Sequence, residues 1–329
     1  MARQTEGSPK PLISILMAVY EPRVDWLREQ LASLDAQTYP NLRLYIRDDC
    51  SPTFSLEALN ECARSIIHSF PFELRRNEEN LGSNGTFERL TEEAEGVYFA
   101  YCDQDDVWLP EKLETLQEVI EREKALLVCS DMLIIDENGN QTADSITKVR
   151  RHHVFKSGEG IAPQMLVSNF VTGCAMLIRA DTAKEAVPFC PYMVHDHYLA
   201  LYSATKGRIV SIPSTLIKYR IHSGNQTLMM AGVSDKKSYY QQRIAMLLCR
   251  MNWLEQVFRE DEALHREILN AIQWVEARDA NFKGKKDAKR VLLKNWRFSP
   301  WTSLFEAIAV MWPERLFMFI IEIKRRNII

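Results

Sequence analysis

The chain has 329 residues, 46% hydrophobic and 26% charged, with 41 Lys and Arg against 44 Asp and Glu. These proportions exclude wholesale disorder and a multi-span membrane protein, and the length fits one large domain or a catalytic domain with an appendage. The charge is uneven: residues 226–329 carry a net of +6 and residues 1–225 a net of −9, which suggests separate roles for the two parts.

In chain order, residues 1–10 lack the apolar h-region of a secretory signal and read as a flexible tail. Apolar runs at 12–19, 42–47, 72–76, 97–102 and 125–131 predict strands, with helices over about 24–36, 55–68, 84–95 and 110–123 between them. That alternation predicts an α/β fold with a mixed, mostly parallel sheet flanked by helices, whose ligands sit at the C-terminal ends of the strands. Residues 137–163 are polar and without period, and read as a long surface loop. A strand-like run at 171–179, a helix over about 196–206 and two short strands at 208–212 and 215–221 follow.

From residue 235 the pattern is helical, so the chain divides into 11–225 and a C-terminal helical region, 226–329. Its last stretch is rich in Trp, Phe and Ile, closes with Lys324, Arg325 and Arg326, and contains no apolar run near the ~18 residues of a membrane-spanning helix. An amphipathic helix on an anionic membrane, a cap packed on the sheet and a dimer contact are all compatible with it. Seven cysteines without a CxxC pair suit a reducing, cytoplasmic compartment. Basic residues interspersed with acids in the tail, behind an acidic first half, argue against nucleic-acid binding.

The strongest chemical signal is CDQDDVWLPEKL (102–113), three Asp directly after a strand and before a helix opening at Pro110. Carboxylates at Asp103 and Asp105 of an extended segment can converge on one hard divalent cation, which prefers oxygen donors. A helix cap at Asp105 or Asp106 would use one of these carboxylates, not three. IRDDCS (46–51) repeats an acidic turn at the same edge, where a carboxylate accepts hydrogen bonds from a base or ribose, or caps a helix. NEENLGSNGTFERL (77–90) sets Asn80, Gly82, Asn84 and Gly85 at a helix start, an arrangement open to anions, without the GxGxxG or Walker spacing of dinucleotide and P-loop sites. In VHDHYLAL (194–201), Asp196 can act as a general base or cap its helix. His222, after a short strand, can offer an imidazole to a metal or be structural.

In order, SILMAVYE (14–21), RDDCS (47–51), NLGSNGTF (80–87), CDQDDVWLP (102–110), VTGCAMLIR (171–179), HDHYLAL (195–201) and YRIHSGN (219–225) resemble glycosyltransferase family 2. The DQDDVW, HD and YRxH elements are most similar to bacterial rhamnosyltransferases of polysaccharide and O-antigen assembly. The resemblance implies a GT-A (Rossmann-like) catalytic domain over 11–225. It implies an inverting transfer of a sugar, L-rhamnose from dTDP-L-rhamnose or a hexose from a UDP-sugar, to a saccharide or lipid-linked acceptor, with Mn2+ or Mg2+. It further implies that Ala18, Tyr20 and Glu21 line the base and Asp49 hydrogen-bonds it. Asp103 and Gln104 meet the donor, Asp106 and Trp108 shape the pocket floor, and Asn80, Gly82 and Asn84 border it. Asp105 and His222 hold the metal, Asp196 is the catalytic base, and Thr172, Gly173 and His195 face the acceptor. Position 18 is Ala where relatives often carry a small polar residue, and His197 follows the HD pair where many carry an aromatic. A non-catalytic nucleotide-sugar-binding protein is the rival from another class.

Overall fold

A run such as Ile13–Val19, apolar on both faces, is stable only where both faces are covered, and it becomes the buried centre of a sheet. The structure, a computed structural model, describes residues 10–150, 153–222, 224, 232–285 and 287–326. Residues 1–9 of the expected tail lie outside these, and Lys10 pairs with Glu114 at 3.2 Å.

The strands are β1 (Ile13–Val19), β2 (Leu42–Asp48), β3 (Phe72–Arg76), β4 (Tyr98–Cys102), β5 (Val107–Trp108), β6 (Leu127–Ile135), β7 (Gln141–Ala143), β8 (Met176–Arg179) and β9 (Ile209–Arg220). They form one sheet in the order β3-β2-β1-β4-β8-β6-β9-β5, with β7 beside β6. β1 to β4 pair in parallel, β8 runs antiparallel between β4 and β6, and β6 and β9 are parallel. Helices α1 (Val24–Asp35), α2 (Leu56–Arg64), α3 (Gly82–Glu93) and α4 (Lys112–Arg122) follow the first strands. Successive side chains of β1 point to opposite faces. Ile13, Ile15, Met17 and Val19 join a buried cluster with α1, α2 and α4, whereas Leu16 faces the cluster that holds Phe87 of α3.

Two expectations need correction. The segment 137–163 carries β7, α5 (Ile146–Val149) and the approach to α6 (Ala162–Met165). Its anchor is polar and so left no hydrophobic period: Asp131 accepts the Ser145 hydroxyl at 2.6 Å and the Ile146 amide at 3.1 Å, and Ile146 is fully buried. The runs at 208–212 and 215–221 form one strand, β9. Its pairing moves from Ser130–Ile212 to Asp131–Thr215, and the bulge takes up Pro213, which cannot donate to the ladder. At 171–179 a 3-10 turn, Gly173–Ala175, precedes β8.

Helices α7 (Ala180–Glu185) and α8 (His195–Lys206) complete the sheet region. After β9 come α9 (Lys236–Tyr240), α10 (Met246–Val257), α11 (Glu262–Phe282), α12 (Ala288–Lys294), α13 (Pro300–Ala309) and α14 (Glu314–Arg326). Met251, Leu254, Leu264, Ile268 and Trp274 from these helices share one buried cluster with Phe99, Leu199 and Leu201. Arg278 of α11 makes a two-pronged pair with Glu306 of α13 at 2.6 and 2.7 Å, both buried. Among the described residues no helix is long and apolar enough to cross a membrane.

Candidate active site

Parallel strands ending at one edge deliver their following turns to the same place. β1 runs into Tyr20, β2 into Asp49, β3 into the Asn80–Gly82 turn and β4 into Asp103–Asp105. The start of α8 and the end of β9 bring Asp196 and His222 to them, around a cavity of about 350 Å³. Of the residues expected at the site, Ala18, Tyr20, Asp49, Asn80, Gly82, Asp103, Gln104, Asp105, Thr172, Gly173, His195, Asp196 and His222 line it.

The other four stand behind the wall. Glu21, at φ 43°, turns its carboxylate to the Thr53 and Phe54 amides (2.7 and 3.1 Å), so it braces the loop before α2. Asn84 donates to the Cys190 and Met193 carbonyls at 3.2 and 2.8 Å. Asp106 and Trp108 are buried beneath the cavity, with the Lys112 ammonium 2.9 Å from the Trp108 ring centre. Two lining residues also hold backbone. Gln104 exchanges hydrogen bonds with the Tyr20 amide and carbonyl at 2.8 and 3.0 Å, and one Asp49 oxygen accepts from Asn77 and the Leu81 amide at 2.8 and 2.7 Å.

Asp196 accepts the Gly173 amide on one oxygen at 3.0 Å and the Asn169 side-chain amide on the other at 3.1 Å. Burial lifts its carboxyl to about 6, and the Gly173 and His197 amides, the Arg150 charge and Asn169 oppose that rise. Positive charge from His195 or His197 is not part of this balance, contrary to what their flanking positions suggest. Burial pushes both imidazoles down to about 3, so both are neutral at pH 7. His197 donates to the Met165 carbonyl at 2.6 Å, and His195 packs on Phe87 with ring centres 4.2 Å apart. A Cβ at Gly173 would lie 2.7 Å from His195 Nε2, so glycine is what lets the imidazole and this backbone meet.

Two acidic groupings could take a metal. In the cavity, His222 Nε2 and Asp105 Oδ2 are 2.8 Å apart, both partly open to solvent, with Asp103 on the same wall. Beneath it, one ligand atom each from Asp103, Asp106 and Cys174 lies within 4.8 Å of the others. There burial, then the Asp105 charge, then a third carboxylate (Asp196 for Asp103, Asp103 for Asp106), raise Asp103 to about 7 and Asp106 well above the carboxylate range. The buried Lys112 ammonium donates to the Cys174 carbonyl at 2.7 Å, and burial lowers Lys112 to about 7. The buried group thus has a cation of its own and carboxylates that favour protons. The open pair offers a carboxylate and an imidazole directly to a ligand in the cavity, and it includes no thiol, the soft donor least suited to Mn2+ or Mg2+.

Reading the sequence missed Arg220, Asn169 and Lys112. Arg220 is 1% exposed and ties β9 to the Asp turn: its amide donates to Asp106 at 2.9 Å, its Nε to the Asp105 carbonyl at 2.8 Å and its Nη2 to Glu29 at 2.6 Å. Its trace in the sequence is the arginine of the YRxH element, two positions before His222, to which no role was attached.

The chain matches the glycosyl transferase family 2 model over residues 14–184. It is 30% identical over 171 residues to an uncharacterised glycosyltransferase of Methanocaldococcus jannaschii, covering 49% of this chain and 57% of that protein. It is 32% identical over 183 residues to TuaG of Bacillus subtilis, a putative teichuronic acid biosynthesis glycosyltransferase, covering 54% of this chain and 67% of that one. The fold is shared with S. aureus TarS 1–349 in complex with UDP-GlcNAc (TM-score 0.55, 14% identity, 87% of this chain and 89% of that one). It is also shared with the mannosyltransferase PcManGT of Pyrobaculum calidifontis in complex with GDP-Man and Mn2+ (TM-score 0.53, 14% identity, 92% and 86%). With the sheet order, the cavity at the parallel strand ends and a family match over more than half its length, this chain belongs to glycosyltransferase family 2 and has the GT-A fold.

Proposed function

We propose that residues 11–225 catalyse an inverting, metal-dependent transfer of a sugar from a nucleotide-sugar to a saccharide hydroxyl in cell-surface polysaccharide assembly, with dTDP-L-rhamnose as the donor. The observation that carries this reading is that a hydrogen-bonded carboxylate, Asp196, faces the same cavity as Asp103, Asp105 and His222. The base and the diphosphate-binding end of a donor would then share one open cavity.

In this mechanism Asp196 takes the proton of the acceptor hydroxyl as its oxygen attacks the anomeric carbon. The bond from that carbon to the nucleoside diphosphate breaks on the opposite side, which inverts the centre. The Gly173 and Asn169 amides hold the carboxylate in position, and His195, a neutral ring with an unpaired Nε2, borders the acceptor side. Asp49 and Tyr20, which line the cavity, would meet the base on this reading. Asp105 and His222, with Asp103 beside them, would hold a divalent ion, which would supply positive charge against the departing diphosphate.

The dTDP-L-rhamnose donor rests on the resemblance carried by the DQDDVW, HD and YRxH elements together. A UDP-sugar donor is the second reading, favoured by the fold shared with TarS, which binds UDP-GlcNAc. The test is thermal-shift binding of dTDP, UDP, GDP and NAD, each with Mn2+, Mg2+ or EDTA, followed by NMR of the anomeric product. Metal-dependent stabilisation by dTDP supports the first reading and by UDP the second. No stabilisation by any nucleoside diphosphate would leave the binding site without support, and a retained anomeric configuration would remove the single displacement.

A further inference from the structure

Helix α13 is packed with its polar side inward. Ser303 and Glu306 are buried with Ala307 and Ala309, whereas Trp301, Leu304 and Ile308, and Met311 in the turn just after the helix, spaced by three and four residues, are 76%, 42%, 55% and 77% exposed. This rotation is fixed by chemistry. Glu306 is held by Arg278 and by the Tyr239 hydroxyl at 2.7 Å, and Ser303 accepts the Trp274 indole N–H at 3.0 Å. Turning the helix to bury its apolar stripe would expose those groups and leave Arg278 buried without its partner, which is strongly destabilising. The fold therefore keeps the stripe outside. Phe319 and Ile323 of α14, 61% and 42% exposed, add to the uncovered apolar surface of the C-terminal region.

The stripe is bordered by cations. Lys289 Nζ lies 3.5 Å from Met311 Sδ, which sets basic α12 against the end of α13. Arg290 and Lys294 of that helix are exposed and make no ion pair among the described residues. Trp296, half-exposed, stands between the two helices.

We propose that this face docks on an anionic lipid bilayer. Trp301, Leu304, Ile308 and Met311 would enter the boundary between headgroups and acyl chains, where indole rings are favoured. Lys289, Arg290 and Lys294 would meet anionic headgroups. A second copy of the chain fits less well: a two-fold interface sets a patch against itself, and here that brings the same cations together. The inference is independent of the donor and of the acid–base assignment.

The test is flotation of the full chain with vesicles of phosphatidylcholine alone or mixed with phosphatidylglycerol, at low and high salt. Binding is expected to the mixed vesicles and to weaken with salt. A Trp301→Ser, Ile308→Ser, Met311→Ser variant and a separate Lys289→Glu, Lys294→Glu variant should each lower the partition coefficient by about tenfold or more, with nucleotide binding in solution unchanged. Failure of the unsubstituted chain to bind mixed vesicles at low salt, or unchanged binding by both variants, overturns the proposal. So does a dimer in sedimentation equilibrium that the serine variant returns to monomer, which would assign the face to a second copy.

Discussion

His222 Nε2 and Asp105 Oδ2 meet at 2.8 Å although 117 positions separate them in the chain. His222 Nδ1 accepts the Gly224 amide at 3.1 Å, so Nε2 carries the ring proton and donates it to the carboxylate. A cation held by both atoms takes Nε2, so the neutral ring must carry its one proton on Nδ1 instead and give up the Gly224 amide contact. Calorimetric titration of Mn2+ in two buffers of different ionisation enthalpy should therefore give equal apparent heats, since this pair passes no proton to the buffer.

The same titration separates the two acidic groupings. Asp105→Asn and His222→Ala should each weaken Mn2+-dependent nucleotide binding by more than about tenfold, whereas Cys174→Ala should leave it within about twofold. A large loss in Cys174→Ala, with little in His222→Ala, would move the metal to the buried Asp103, Asp106 and Cys174.

Asp196 links rate to stability. Burial holds its carboxyl at about 6, above the ordinary 3.8, so the folded protein keeps this proton more tightly than the unfolded chain. Its contribution to stability thus falls as pH rises from about 4 to 6, while the ionised base, and with it kcat, increases through the same range into neutral pH. Asp196→Asn should reduce kcat by about 10²–10⁴-fold with donor affinity retained. It should also raise Tm at pH 8 relative to the unsubstituted protein, by about 1–3 kcal/mol of stability, and not at pH 4. Melting curves at the two pH values check this, and an equal shift at both would remove the buried charge as its cause.

Gly173→Ala would place a methyl group 2.7 Å from His195 Nε2 and 3.6 Å from Asp196 Cβ. The His195 ring, packed on Phe87 and Tyr101, has little room to retreat. Overpacking of this kind costs about 1–3 kcal/mol, and here the displaced groups surround the proposed base. Chemical denaturation and kcat should fall together in Gly173→Ala, with nucleotide binding less affected.

The sheet was legible where a strand is buried on both faces and its turn is acidic. Ile13–Val19, Leu42–Asp48 and Tyr98–Cys102 announce themselves by composition, and the turns after them carry Asp49, Asp103 and Asp105 to the cavity. Illegible were residues whose role depends on what lies opposite. Lys112 sits in an ordinary amphipathic helix and is fully buried over Trp108. Glu21 belongs to a motif turn, yet its positive φ directs it away from the cavity. Helix α13 shows a normal apolar stripe in sequence, and only the distant partner Arg278 explains why that stripe faces outward.

Arg220 tests how far the Asp turn depends on a residue outside the cavity. Its guanidinium is 1% exposed and reaches the Asp105 carbonyl and Glu29, whose own side chain is 56% exposed. Glu29 can turn to water when the arginine is removed, so the loss should fall below the ~3–5 kcal/mol of a fully buried pair, at about 2–3 kcal/mol for Arg220→Met. Glu29→Gln should cost less, about 1–2 kcal/mol, because an amide oxygen can still accept from Nη2 while the buried guanidinium loses its ionised partner. The Asp105 turn loses a clamp only in the first variant, so Arg220→Met should also weaken Mn2+-dependent nucleotide binding. If denaturant titration showed the two variants equally destabilised, the contact with Glu29, rather than the grip on the Asp105 carbonyl, would be what Arg220 provides.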